Sequence, residues 1–156
     1  MAAMTPNARN HAGLPPQASR FVEVDGLPWE PTRFPGIETK TLFIDKTTGS
    51  VTALIRMAPG ARLPDHEHPL SEQSFVLEGL LEDGDGSCAA GNFVWRPAGS
   101  RHQAWSSGGC VVLGIGAAVL VGRDLLVRNA VRDRSEAAVP GCRHHRFRRF
   151  GGCRGG

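Results

Sequence analysis

The stretch 60–79 contains two histidines and a carboxylate in an order that suits metal ligation. His66 and His68 are separated by one residue, and three residues separate His68 from Glu72. Because side chains alternate between the two faces of a strand, His66 and His68 should point to one side and Glu67 to the other. A hairpin-like return of the chain would bring the Glu72 carboxylate beside both rings. Such a set can hold a divalent transition metal and leave coordination positions open.

A second stretch with glycines at its turns, residues 91–106, offers one more nitrogen ligand. His102 follows the turn formed by residues 97–99, Pro-Ala-Gly. Two stretches of this kind on one short chain are more specific than either alone. The Asp-Gly-Asp-Gly run at 83–86, by contrast, lacks the later ligands of a calcium loop and predicts a turn.

These two stretches resemble the two motifs of the cupin superfamily. The first matches every fixed position of Gly, five residues, His-x-His, three residues, Glu, six residues, Gly, and the second departs only at Ser106, where many cupins have Asn. The resemblance covers residues 29–118. It implies an all-β fold, an antiparallel jelly-roll barrel of six to eight strands with a metal inside. The motif positions imply four metal ligands: His66, His68, Glu72 and His102.

Upstream segments in matching order (28–31, 35–37, 40–43 and 54–61) resemble the ChrR-type subgroup of cupins. This subgroup includes the cupin half of zinc-binding anti-sigma factors and, more distantly, acetylacetone-cleaving dioxygenases. The resemblance therefore implies two functions. One is a non-haem metal dioxygenase, an oxidoreductase that acts on a small carbonyl-containing substrate. The other is a stand-alone regulatory or ligand-sensing zinc cupin without catalytic activity.

Other features bear on the choice between these two functions and a metal-free barrel. Residues 1–28 contain one histidine and no cysteine, so they do not resemble the helical zinc domain with which an anti-sigma factor grips its sigma factor. The intact ligand set disfavours a purely structural barrel. Three imidazoles and one carboxylate favour Fe(II) or Zn(II) and also suit Mn(II), Ni(II) or Cu(II). In an enzyme the metal would act as Lewis acid and template for a β-dicarbonyl or hydroxyketone, and no catalytic residue beyond the ligands is evident.

Short β-rich runs support a barrel or sandwich independently of the motifs. Turn signals separate these runs, which occupy residues 39–45, 51–57, 74–81, 91–96, 102–106 and 110–118. Residues 119–130 fit a last strand or a short helix equally well. The large aromatic side chains should mainly pack in the core, and they are Phe75, Phe93, Trp95 and Trp105.

Charge and composition divide the 156 residues into a leader, a barrel and a tail. The leader, 1–28, should be largely extended, and the metal-binding barrel should occupy 29–122. The formal net charge of +3 arises in the tail, 123–156, which carries nine Arg and three acidic residues. Its Arg- and Gly-rich composition predicts disorder. There are two alternatives for the tail: it binds nucleic acid, or it results from an off-frame reading of GC-rich DNA. A zinc cluster in the tail is disfavoured, because the spacing matches no standard site for Cys142, His144, His145 and Cys153.

Location and partners follow from weaker signals. No apolar run reaches the roughly 18 residues that a membrane span needs, and the N-terminus lacks the pattern of a secretion signal. Four cysteines are too few for a disulfide framework in a chain of this length, so we expect reduced thiols in a cytoplasmic protein, with Cys88 and Cys110 buried. A small molecule is the expected partner, nucleic acid and membrane are not, and the cupin resemblance implies a homodimer.

Overall fold

The computed structural model describes residues 3–117 and shows an all-β, antiparallel architecture. These residues form ten strands: β1 Ala3–Met4, β2 Glu30–Pro31, β3 Ile37–Asp45, β4 Ser50–Met57, β5 Arg62–Glu67, β6 Glu72–Asp83, β7 Ser87–Ala89, β8 Phe93–Arg96, β9 Arg101–Trp105 and β10 Cys110–Ala117. All ten belong to one curled sheet with the strand order β1-β3-β4-β10-β6-β9-β5. In addition, β2 pairs with β3, and both β7 and β8 pair with β6. The predicted jelly-roll class is confirmed.

The longer strands lie where the β-rich runs predicted them. The hairpin between β3 and β4 closes with a bond from the Gly49 amide to the Asp45 carbonyl, at 2.8 Å. The Asp-Gly-Asp-Gly run is a turn, as predicted, because Asp83 Oδ1 accepts hydrogen bonds from the amides of Asp85 and Gly86. Three strands that the sequence did not predict, β1, β2 and β7, have only two or three residues each and so show no periodicity. They bring the strand count above the expected six to eight.

The predicted return of the chain from β5 to β6 as a hairpin is wrong. In the described part of the chain β5 pairs with β9, with His66 opposite His102 and Glu67 opposite Arg101. Strand β6 pairs instead with β7, β8, β9 and β10. The physical reason is the jelly-roll topology, in which β9 from the second motif occupies the place beside β5 that a hairpin would give to β6.

The leader adds small pieces of structure to the expected extended chain. Ala3–Met4 pairs with the end of β3, and two 3₁₀ turns form at Arg9–His11 and Val24–Gly26. The Lys40 ammonium donates to the Val24 carbonyl at 2.9 Å, which ties the leader to β3. No helix among residues 3–117 has the length and apolarity that a membrane crossing requires. Three predictions concern residues outside the described part of the chain. They are the disordered tail 123–156, the strand or helix at 119–130, and the interpretation of the Cys and His residues in the tail.

The core is built from aliphatic side chains, and the expectation of an aromatic core is wrong for three residues. Phe75, Phe93 and Trp95 are exposed, Trp95 by 62%. They alternate with the buried Ser74 and Val76 on β6 and with Val94 and Arg96 on β8, so the pleat turns them outward. The main buried cluster consists of Ile37, Met57, Ala61, Leu63, Val76, Leu81, Ala104, Cys110 and Val112. Both described cysteines are free thiols; Cys110 is buried and Cys88 half-buried.

Candidate metal centre

Three of the four predicted ligands converge at one place. His66 lies on β5 directly opposite His102 on β9, and His68 lies one residue beyond the end of β5. The ring centroids are 4.7 Å apart for His66 and His68, 4.6 Å for His66 and His102, and 5.0 Å for His68 and His102. One nitrogen from each ring can be chosen such that all three lie within 4.8 Å of one another. As predicted, Glu67 lies away from the centre, and its exposed carboxylate pairs with Arg101 at 3.4 Å.

Each of the three rings has its Nδ1 beside an oxygen. His66 Nδ1 lies 2.8 Å from the Pro64 carbonyl, and because a carbonyl can only accept, this nitrogen carries the proton. His68 Nδ1 lies 3.4 Å from Glu72 Oε2, and His102 Nδ1 lies 3.4 Å from Asp83 Oδ2. A proton held on Nδ1 leaves the lone pair on Nε2, the nitrogen available to a metal.

Burial keeps two of the rings neutral and their inner nitrogens unpaired. The His68 side chain is 1% exposed and that of His102 7%. Burial lowers the pKa of His68 despite the opposing charge of Glu72, and burial together with the Arg96 charge lowers the pKa of His102 to about 4. Nε2 of both rings has no hydrogen-bond partner among the described residues. Neutral imidazoles with orphaned, buried lone pairs are what a divalent metal needs, so the residues present fit a metal ion.

Glu72, the fourth predicted ligand, lies next to this cluster but outside it. Its Oε2 faces His68 Nδ1, and its Oε1 accepts a hydrogen bond from Arg96 Nη1 at 2.9 Å and a longer one from Ser74 Oγ at 3.3 Å. Arg96 is buried and also pairs with Asp83 through Nη2. Ligation by Glu72 therefore stays a prediction, and the carboxylate already has three neighbours of its own.

Asp83 belongs to this centre, although sequence reasoning assigned it only to a turn. Burial acts to raise the pKa of Asp83, but its hydrogen bond from Arg96 and those from the turn amides outweigh this and lower it. Strict alternation from Glu72 along β6 would point Glu82 inward. A bulge opposite the step from Val111 to Val112 breaks that alternation, so Leu81 and Asp83 point inward instead. A bulge of this kind has no evident signal in the sequence.

The four framework glycines of the motifs all have positive φ, as their turn role predicted. The values are 78° for Gly60, 73° for Gly79, 81° for Gly91 and 82° for Gly99. Gly79 has a second constraint, because a Cβ there would lie 2.1 Å from the Gly109 carbonyl oxygen. Ser106, the departure from the second motif, is fully buried and donates to the Leu80 carbonyl at 2.6 Å, so it belongs to the framework.

Small side chains line the sheet beside the histidines. Four of them form a row across neighbouring strands, in which each residue is the register partner of the next: Thr41 on β3, Ala53 on β4, Gly114 on β10 and Ser74 on β6. Ser74 touches Glu72, which locates this row next to the centre. The hydroxyl of Thr41, like that of Thr39 on the same face of β3, is buried and has no hydrogen-bond partner among residues 3–117. The row thus contains a buried hydroxyl that is free to bond a polar ligand.

An antiparallel jelly roll that gathers HxH histidines and a third histidine from the second motif defines a cupin. Within this class, the family model described as the ChrR cupin-like domain matches residues 17–117, and the chain belongs to that family. Among curated proteins, polyketide synthase CurC from Streptomyces cyaneus is 35% identical in an alignment of 92 residues that covers 54% of this chain. The match spans 58% of CurC, so the chain covers less than two thirds of that relative.

Solved structures with the same fold have different functions. Acetylacetone dioxygenase from Acinetobacter johnsonii superposes with a TM-score of 0.59 at 18% identity, over 73% of this chain and 85% of that one. The polyketide cyclase RemF from Streptomyces resistomycificus gives 0.53 at 21%, over 72% and 89%. Rhodobacter sphaeroides ChrR, solved with SigE, gives 0.52 at 21%, over 60% and 51%. At these identities the likeness shows the fold alone.

Proposed function

We propose that this cupin holds a divalent transition metal on His66, His68 and His102 and uses it as a dioxygenase acting on a small β-dicarbonyl substrate. The observation that carries the metal site is the arrangement of the three rings, each with Nδ1 facing an oxygen and Nε2 left for the ion. Fe(II) suits the oxygenase reaction, and Zn(II), Mn(II), Ni(II) and Cu(II) suit the same ligands.

The charges around the rings favour an anionic bidentate ligand such as an enolate. Three neutral imidazoles add no charge, while Glu72 and Asp83 contribute two negative charges and Arg96 one positive charge. A divalent ion would leave the centre with one net positive charge, which a singly charged enolate neutralises. Buried charges are costly unless compensated, so this balance selects the enolate of a β-dicarbonyl over a neutral ketone.

When bound, the metal would supply Lewis acidity, which lowers the pKa of a β-dicarbonyl ligand, and it would bring oxygen and substrate together. The chain's own residues do the remaining work. The Pro64 carbonyl orients the His66 ring by accepting its Nδ1 proton, and the carboxylates of Glu72 and Asp83 lie 3.4 Å from Nδ1 of His68 and His102. The buried Thr41 hydroxyl, which has no partner among residues 3–117, offers the substrate a hydrogen bond.

The test combines metal analysis with oxygen uptake. The purified protein should contain about one metal per chain, and a His66→Ala, His68→Ala double variant should lose it. His11→Ala is the matched control, because His11 lies in the leader, where its Nε2 contacts the Phe21 carbonyl at 2.9 Å. Oxygen consumption with acetylacetone by the iron-loaded protein, absent in the double variant, supports the dioxygenase. A protein that takes up no metal even after reconstitution would contradict the proposal.

Polyketide processing at the same centre is a second candidate, favoured by the 35% identity with polyketide synthase CurC and by the fold shared with the cyclase RemF. Polyketide chains carry repeated β-dicarbonyl units, so the same enolate would be bound. It would attack a second carbonyl of the same chain, with loss of water and no use of oxygen. A synthetic triketone that loses water without oxygen uptake would favour this candidate.

A regulatory, ligand-sensing zinc cupin is the alternative that the ChrR family membership supports. It predicts one zinc per chain and reversible binding of a small molecule without turnover. Mass spectrometry of the recovered ligand separates it from both enzymes, since a sensor returns the ligand unchanged. We also propose that the protein is a cytoplasmic homodimer; sedimentation at several concentrations tests the dimer.

A further inference from the structure

One buried guanidinium connects both carboxylates that face the histidines. Arg96 donates to Glu72 Oε1 at 2.9 Å through Nη1 and pairs with Asp83 Oδ2 through Nη2. Glu72 and Asp83 in turn are the oxygen neighbours of His68 Nδ1 and His102 Nδ1, both at 3.4 Å. Arg96 thus reaches two of the three rings through one intermediate each, without contributing a ligand itself.

We infer that Arg96 is a positioning residue that keeps Glu72 out of the metal's ligand set and holds its carboxylate beside His68 Nδ1. This inference rests on the proposed metal site. The family motif makes Glu72 available as a ligand, and Arg96 decides how that carboxylate is used. The centre in this chain is then one of three histidines with an additional open position.

The geometry gives the physical reason. Oε1 of Glu72 accepts hydrogen bonds from Arg96 and Ser74, and Oε2 lies 3.4 Å from His68 Nδ1. To reach the metal, the carboxylate would have to leave a buried charge-assisted hydrogen bond, and the guanidinium would keep only Asp83 as a partner. The other oxygen neighbour of the rings, the Pro64 carbonyl, is backbone and fixed by the chain.

Removal of Arg96 should reverse this preference. Glu72, which is partly buried, and Asp83 would lose their shared cation, and the nearest positive charge left to Glu72 would be the metal. We expect Glu72 to swing onto the ion and occupy an open position. An anionic bidentate ligand would then bind more weakly, because it would compete with a carboxylate for that position.

Cobalt reports on this change, because the visible absorption of Co(II) depends on the number and type of its ligands. We would compare four Co(II)-loaded proteins and titrate each with acetylacetonate. They are the wild type, the single variants Arg96→Met and Glu72→Gln, and the double variant that combines both changes. Arg96→Met should change the spectrum and raise the Kd for acetylacetonate at least about tenfold. The double variant should return to the wild-type spectrum, since the glutamine amide is a poor ligand. Arg96→Lys, which can pair with one carboxylate, should fall between the two.

Arg101→Met is the matched control, because Arg101 also pairs with two carboxylates, Asp65 and Glu67, but is 55% exposed and lies outside the centre. It should leave spectrum and Kd unchanged. If Arg96→Met does not fold, Glu72→Gln alone tests the inference. Its Co(II) spectrum should equal that of the wild type, because replacing a carboxylate that is not a ligand leaves the ligand set unchanged. A changed spectrum in Glu72→Gln, or an unchanged one in a folded Arg96→Met, overturns the inference while leaving the metal site standing. A wild-type protein that binds no cobalt overturns both.

Discussion

His66 and His102 are direct partners across the antiparallel pair of β5 and β9, with ring centroids 4.6 Å apart. The two motifs of the sequence, which are separated by a turn-rich stretch, are thus joined by backbone pairing of the very residues that carry the chemistry. His68 completes the cluster from the position just after β5. Because backbone pairing and not the metal brings the strands together, the fold should persist when a single ring is removed.

The first prediction concerns His102→Ala. We expect loss of oxygen uptake and a fall in metal affinity of more than about 100-fold, since removal of even an outer-sphere partner can cost up to that much. The fold should persist, because Arg96 still pairs with Asp83 after the ring is gone. Elemental analysis, oxygen uptake and a circular-dichroism melt check the three parts. Full activity in His102→Ala would remove this histidine from the mechanism, and His11→Ala serves again as the control.

The metal-free protein should lose stability as the pH falls below neutral. In the folded chain burial lowers the pKa of His68 and lowers that of His102 to about 4, whereas in the unfolded chain both titrate near the ordinary value of 6.5. Between these values the unfolded state binds more protons, so the free energy of unfolding decreases as the pH falls from about 6.5 towards about 4. The slope is at most about 1.4 kcal/mol per pH unit for each proton.

Urea unfolding of the metal-free protein at several pH values measures this slope. His102→Gln, which removes one of the two titrating rings, should flatten it. An equal slope in His102→Gln would show that other groups cause the acid sensitivity.

Thr41→Val tests the unused buried hydroxyl on β3. The valine has nearly the same shape, and loss of a buried hydroxyl without a partner should leave the free energy of unfolding unchanged or raise it. The Kd for acetylacetonate should rise roughly two- to tenfold if this hydroxyl bonds the ligand, which is the range of one hydrogen bond. Calorimetric titration of the metal-loaded protein measures it.

Thr5→Val is the matched control for this change. The Thr5 hydroxyl is also buried but donates to the Leu42 carbonyl at 2.6 Å. Its loss should destabilise the protein by about 1 kcal/mol or somewhat more and leave ligand binding unaffected. A Kd unchanged by Thr41→Val would exclude the hydroxyl as a ligand contact.

The sequence predicted the parts of this molecule that depend on local pattern. Spacing identified the three histidines, alternation placed Glu67 outside, and turn residues marked the longer strands. What it missed depends on the long-range arrangement of the chain. The pairing of β5 with β9, the inward turn of Asp83 after a bulge and the exposure of Trp95 all follow from strand order and register. Arg96 was overlooked because an arginine in a short strand carries no sign of which carboxylates will surround it.

Gly79 is a position where one methyl group should disrupt the frame that holds β6. Its φ of +73° already disfavours any other residue, and a Cβ would lie 2.1 Å from the Gly109 carbonyl oxygen, so backbone would have to move. We expect Gly79→Ala to destabilise the protein by more than about 3 kcal/mol, or to prevent folding. Gly91→Ala is the control, because its φ is +81° but nothing lies within 4 Å of the added Cβ. Gly91→Ala should lower the free energy of unfolding by only about 1–2 kcal/mol, which is the cost of a left-handed backbone conformation for alanine. Chemical unfolding of both variants measures the difference, and equal losses would mean that the contact with Gly109 relaxes without cost.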